Sequence, residues 1–464
     1  MTSRTARGWM RWARGIFAVV TGMLCLSVRA AETSKASAAI AALDRAIMMR
    51  TAPDGRIYGR NEIDPLIWRD SVYFLAGESR GRLQGALKRV TELADAEVKR
   101  CSAAQRALVQ NRVWTVFDHV RAHTGARTAA DREYLQLLAR TMAKLALDKK
   151  EIAAITDPLA DAAASNRWPS RPAAAGGPDI FLPTGIADED GAWTTMGRSD
   201  LGLNAKHHTI GFGGRSLFFV RVNFPKGSAG PAAYFKAIAD FSTPWVFEND
   251  PDLPFGSRFV ANPDLPELPV GAEFALIRRL AVIDRDGGWQ STPLTLSVQL
   301  RHYRVTNQKI LEKLNAQITS PNDPGPLFDR LQSFAEFDLE TTVVSEGERG
   351  MMKPVRSADK SWFFMLQMGS DQVDGTIDGR TLDNFPTGPQ GAAMFCVQCH
   401  SGLGVQSVNS LMFITTAQTV KLGGLTPLAP ADEAERTALW KTEQADWGAL
   451  QAFWPAAETT APVH

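Results

Sequence analysis

The spacing of apolar side chains changes period once along this 464-residue chain, and that change sets what the chain can fold into. From about residue 34 to 165 apolar residues recur at three and four, the period of a helix with one buried face. Val109, Val113, Val116 and Val120 form one such stripe, and Tyr134, Leu135, Leu137, Leu138, Met142 and Leu145 form another. Gly125 follows the first stripe where a helix would stop. From about 180 to 305 the period falls to two, the mark of strands. Segments 216–224, 273–283 and 294–305 read as strands, the last two joined through Asp286-Gly287-Gly288 as a hairpin. In the last strand Leu294, Leu296, Val298 and Leu300 share a face, and His302 continues it, pointing inward. Residues 166–179, rich in Pro, Gly and Ala, read as a linker. These patterns predict an α+β multidomain protein. Its parts are a helical domain (31–165), the linker (166–179), a β-rich domain (180–310), a connecting region (311–380) and a mainly α-helical C-terminal module (381–464).

The first thirty residues differ from the rest. Five arginines (Arg4, Arg7, Arg11, Arg14, Arg29) occur there with no acid, and the run 15–28 carries no charge. A basic start, a short apolar run and small residues around Arg29 predict a signal peptide over 1–30, cleaved on export to the periplasm. The run is too short to cross a bilayer core, so no stable transmembrane span is expected after cleavage. Without those arginines 46 basic side chains face 50 acidic ones, a net charge of −4 that excludes nucleic acid as a partner on electrostatic grounds. Of four cysteines, Cys25 lies in the signal, Cys396 and Cys399 form a close pair, and Cys101 stands alone as a small buried filler. That pattern excludes a disulfide framework.

Cys396-Val397-Gln398-Cys399-His400 is the segment that carries chemistry. A structural zinc site needs four ligands, and no second close Cys or His pair completes one. A redox dithiol wants a strand before it, which 386–395 does not supply. Two thiols at this spacing can each form a thioether to a haem vinyl group, with the next histidine placed under the iron. In this motif, and over roughly the last eighty residues, the chain resembles the c-type cytochromes. The resemblance implies one covalent haem c held by Cys396 and Cys399, with His400 as the proximal iron ligand and 381–464 as the haem module. A final helix with Pro430 near its start, acids at 432, 433 and 435, and Trp440, Trp447 and Trp454 at intervals of seven fits a helix packed beside the haem segment, or plain core packing.

The ligand opposite His400 decides between electron transfer and an open iron. Met412, the only methionine after His400, and His302 are the two candidates. His207 and His208 sit in a polar segment before a glycine turn at 211–214. His119 and His123 lie one helical turn apart, on the polar edge of their stripe. The leading expectation is a periplasmic electron-transfer protein working with a redox partner protein. One alternative is a haem oxidoreductase of peroxidase or oxygenase type, in which Arg301, His302 and Arg304 could act at an open iron. A second is a haem-based ligand sensor. No small-molecule substrate follows from the sequence, although more than three hundred residues precede the motif.

Overall fold

A computed structural model describes residues 34–51, 57–58, 74–165, 182–188, 190–200, 202–249, 257–306, 332–354, 400, 404–408 and 424–455. The expected signal, the linker, Cys396, Cys399 and Met412 lie outside the described residues.

The fold is mixed α+β, and its helices come first. They are α1 (Lys35–Met48), α2 (Gly77–Thr91), α3 (Asp95–Lys99), α4 (Ala103–Thr124), α5 (Ala129–Leu145), α6 (Lys149–Ala153) and α7 (Pro158–Ser165). Local chemistry sets their ends: Ser34 Oγ accepts from Ser37 N at 3.1 Å, and Thr128 Oγ1 accepts from Asp131 N at 3.1 Å. Gly125 closes α4 at φ +62°, a left-handed conformation that favours glycine. Both apolar stripes are buried. Helix α4 is buried far beyond its valine stripe, taking Gln105, Arg106, Gln110, Asn111 and Arg112 inside with it. Cys101 is buried, between α3 and α4.

The sheet has seven antiparallel strands in the order β10-β9-β8-β7-β4-β3-β11. These are β3 (Thr194–Arg198), β4 (Ser216–Asn223), β7 (Glu273–Ile283), β8 (Trp289–Tyr303), β9 (Gln332–Leu339), β10 (Met352–Pro354) and β11 (Leu425–Pro427). Two small hairpins stand apart, β1 (Arg50–Thr51) with β2 (Ile57–Tyr58), and β5 (Trp245–Asn249) with β6 (Ser257–Ala261). Strands β7 and β8 form the hairpin expected around Gly287.

Strand alternation splits the sheet into two faces. Leu217 and Phe219 of β4, Ala275 and Ile277 of β7, Leu296, Val298 and Leu300 of β8, and Ala335 and Phe337 of β9 share one core with α1–α7. Residues on both sides of 166–179 contribute to this core. Polar side chains of α4 bind this face too. Gln110 Nε2 donates to Ile283 O (2.7 Å), Gln110 Oε1 accepts from Ile283 N (3.0 Å), and Asn111 Nδ2 donates to Ala281 O (2.8 Å) and Arg215 O (2.7 Å). On the other face Val222, Phe274 and Tyr303 pack with Tyr234, Phe235 and Ile238 of α9 (Pro231–Asp240) and with Val405 and Val408.

The C-terminal segment is built into this body. After β11 come α11 (Pro430–Thr442) and α12 (Ala445–Gln451), with α8 (Lys206–Gly211) and α10 (Thr341–Ser345) earlier in the chain. The expected single helix is broken at residues 443–444, so the three tryptophans do not line one face of one helix. Trp447 meets Trp114 of α4 with ring centroids 5.9 Å apart, and Phe453 meets Phe117 at 5.8 Å. Among the described residues no helix is long and apolar enough to cross a membrane.

Candidate functional site

His400 sits on the sheet face away from α1–α7, held by β8, β9 and a short 3₁₀ turn, Gly404–Ser407. Its Nδ1 lies 2.6 Å from Ser407 O, and Gln332 Nε2 donates to its carbonyl at 3.0 Å. The turn is anchored in its own right. Arg301 Nη1 donates to Ser407 O at 3.1 Å, Tyr303 Oη lies 2.5 Å from Ser407 Oγ, and that hydroxyl donates to Gly404 O at 2.8 Å. Arg301 and Tyr303 are two apart on β8 and so project from one face.

The contact with Ser407 fixes the tautomer of His400. A carbonyl oxygen can only accept, so Nδ1 carries the hydrogen and Nε2 carries the lone pair. Burial, reinforced by the Arg301 charge, pushes the imidazole pKa down to about 3, against the pull of the Ser407 bond. A neutral imidazole with an anchored Nδ1–H is the form in which histidine ligates a metal through Nε2.

A second imidazole lies on the same face of the sheet. His208 of α8 packs on Phe218 of β4, with ring centroids 5.4 Å apart. Its pKa is pushed down to about 4, first by burial and then by the charges of His207, Arg278 and Arg301. Its own charge also acts on His400. Arg278 of β7 donates from Nε to Ser216 Oγ at 2.9 Å and lies 3.6 Å over the Phe212 ring. Phe212 in turn packs 5.3 Å from Phe218. His208, Arg278, Arg301 and His400 thus lie on one face of the sheet, near enough for Arg301 to act on both imidazoles, with Phe212 and Phe218 packed beside His208 and Arg278.

The glycine turn at 211–214 places His208. Gly213 (φ +57°) and Gly214 (φ +69°) reverse the chain from α8 into β4, with Gly214 N donating to Thr209 O at 2.9 Å. Trp289 Nε1 donates to Gly214 O at 2.8 Å, which ties the turn to β8.

No protein-family model, curated protein or solved structure matches this chain. The site therefore rests on its geometry and its motif alone.

The remaining sequence candidates divide clearly. His302 does not point inward: its side chain is 42% exposed, and Nδ1 stands 3.5 Å from Glu273 Oε1 at the end of the β7–β8 pairing. Alternation also puts it on the face opposite Arg301 and Tyr303, away from His400, which removes it as a ligand to the same iron. With it goes the expected pairing of His302 and Arg301 at an open iron. His119 and His123 stack at 4.4 Å, and His119 is only 8% exposed rather than on a polar edge. Among the described residues no three His, Cys, Asp or Glu side chains group to hold a metal ion. Arg278 was not singled out from the sequence, although a charged residue inside the strand reading 273–283 was the available signal.

Proposed function

We propose that this chain is an exported c-type haem protein with one haem c joined to Cys396 and Cys399, His400 as proximal ligand, and a role in periplasmic electron transfer. The observation that carries the reading is the Nδ1–Ser407 O contact, which leaves Nε2 of the motif histidine as its ligating atom. The residues present fit the group. His400 offers a neutral nitrogen on a braced turn, and Arg278 and Arg301 supply positive charge for the two propionates. When bound, haem supplies a one-electron couple whose potential follows its axial ligands and its burial. The chain's own part is to hold the ligand, exclude water with Phe212, Phe218 and Tyr303, and set the local charge. A redox partner protein would supply or take the electron.

A haem oxidoreductase with an open iron is the second reading. The charges on this sheet face favour it, because an imidazole beside two guanidiniums could transfer a proton and stabilise developing negative charge. The absorption spectrum of periplasmically matured protein separates the two. Electron transfer predicts a reduced c-type spectrum that ignores carbon monoxide. Immediate carbon monoxide binding would favour the oxidoreductase or a ligand sensor, and absence of a c-type spectrum would overturn both.

A further inference from the structure

We propose that α11 is a proton-controlled latch, seated on the sheet while Glu433 carries a proton and loosened at its first turn when that carboxyl ionises. The helix turns an unusual face inward. Its buried side chains are Glu433, Thr437 and Lys441, each four residues apart, while Leu439 is 58% exposed. A helix seated by polar groups gains little from apolar burial, so its seat depends on how well those groups are satisfied.

Glu433 is poorly satisfied. Asn204 N donates to its Oε1 at 2.9 Å, while its Oε2 is buried with no hydrogen-bond partner among the described residues. Thr437 Oγ1, one turn along, is in the same position. The charges on the elements around α11 have partners of their own. Arg198 of β3 binds Asp200, Arg215 ahead of β4 binds Asp118, and Arg221 of β4 binds the Ile186 and Trp193 carbonyls. Lys441 of α11 binds Asp446 of α12, β8 carries no charge from 289 to 300, and Lys206 beyond Asn204 is exposed. Arg436 of α11 gives Nη1 to Arg198 O, and its charge opposes the effect of burial on Glu433 without reversing it. An ionised carboxylate left unpaired in such a place is strongly disfavoured, and the protonated acid is not.

The geometry also says what would loosen. Through Asn204 the first turn of α11 meets the chain just ahead of α8, and Asn204 Nδ2 holds Met196 O of β3 at 2.7 Å. Ionisation draws water to Oε2 and to the Thr437 hydroxyl, which loosens residues 430–442 and 203–211 together. The end of the C-terminal segment stays in place, with Trp447 packed on Trp114 of α4 and Leu450 fully buried.

Hydrogen–deuterium exchange of the full-length protein reads the latch directly. Samples at about pH 5.5 and about pH 8.5, corrected for intrinsic exchange rates, bracket the pKa of about 7 to which burial raises Glu433. Protection across 430–442 should fall roughly tenfold or more at the higher pH, with 203–211 following, while α4 keeps its protection. Glu433→Gln should abolish the fall. Should that variant fail to accumulate, Glu433→Met, which cannot ionise either, replaces it. Protection of 430–442 that ignores pH, or that falls equally in a variant without the carboxyl, would overturn the proposal. A loss shared by α4 would overturn it too, since the whole fold would then be opening.

Discussion

Ser407 is where the elements around His400 converge. Its carbonyl accepts from His400 and from Arg301, and its hydroxyl meets Tyr303. One residue thereby sets the tautomer of the imidazole and ties it to β8. A different single side chain adds a pH-dependent contribution of its own to stability. Glu433, in the first turn of α11, reads in sequence as a helix-end acid, yet it is 1% exposed. Burial pushes its pKa up to about 7, while the Asn204 N–H at 2.9 Å and Arg436 oppose the shift. The folded state thus holds a proton that the unfolded chain releases near its ordinary value of 4.5. Its contribution to stability is full below that value and is lost as pH rises through about 7, opposite in sign to the contributions of buried His208 and His400, which grow as pH rises toward 6.5. The loss amounts to about 1–3 kcal/mol. Glu433→Gln keeps the acceptor for Asn204 and should remove this contribution, so the melting temperature of wild type relative to the variant should fall from pH 4 to 8. An unchanged slope would assign the pH response to another group.

At the scale of elements, α4 joins the helical layer to the sheet through side chains that meet strand backbone. Gln110 satisfies both the N–H and the C=O of Ile283. Gln110→Ala should cost about 2–3 kcal/mol, because it strands buried main-chain groups. A lower urea midpoint with an unchanged slope would register that loss, and a midpoint within about 0.5 kcal/mol of wild type would contradict it. The same helix shows what periodicity can report. Its valine stripe was legible because those side chains meet one core, but Gln110 and Asn111 were not, because their partners lie more than a hundred residues away. The β7–β8 hairpin was legible because two alternating runs flank a glycine turn. His302 was misjudged because alternation predicts facing, not burial, and the strand outruns the core there. The tryptophans at intervals of seven implied one helix, whereas the chain breaks before Gln444 and sends Trp447 against α4.

For the whole molecule, one continuous core runs from α1 through the sheet to α12, and the described C-terminal residues belong to that body. The long N-terminal part then has a structural reason to exist: it builds the sheet on which His400 rests. The Cys-x-x-Cys-His motif is visible in the sequence because it spans five consecutive residues. The grouping on the sheet face was not, since His208, the β7–β8 hairpin that carries Arg278 and Arg301, and His400 come from separate segments that share that face only in the folded sheet. The central claim is covalent haem at Cys396 and Cys399. Its most direct test is the intact mass of protein matured in a host able to attach haem c, measured after denaturation. The account predicts a gain of one haem in the wild type and none in the Cys396→Ala, Cys399→Ala double variant. An unmodified wild-type mass, or a haem that stays bound in the double variant, would contradict it.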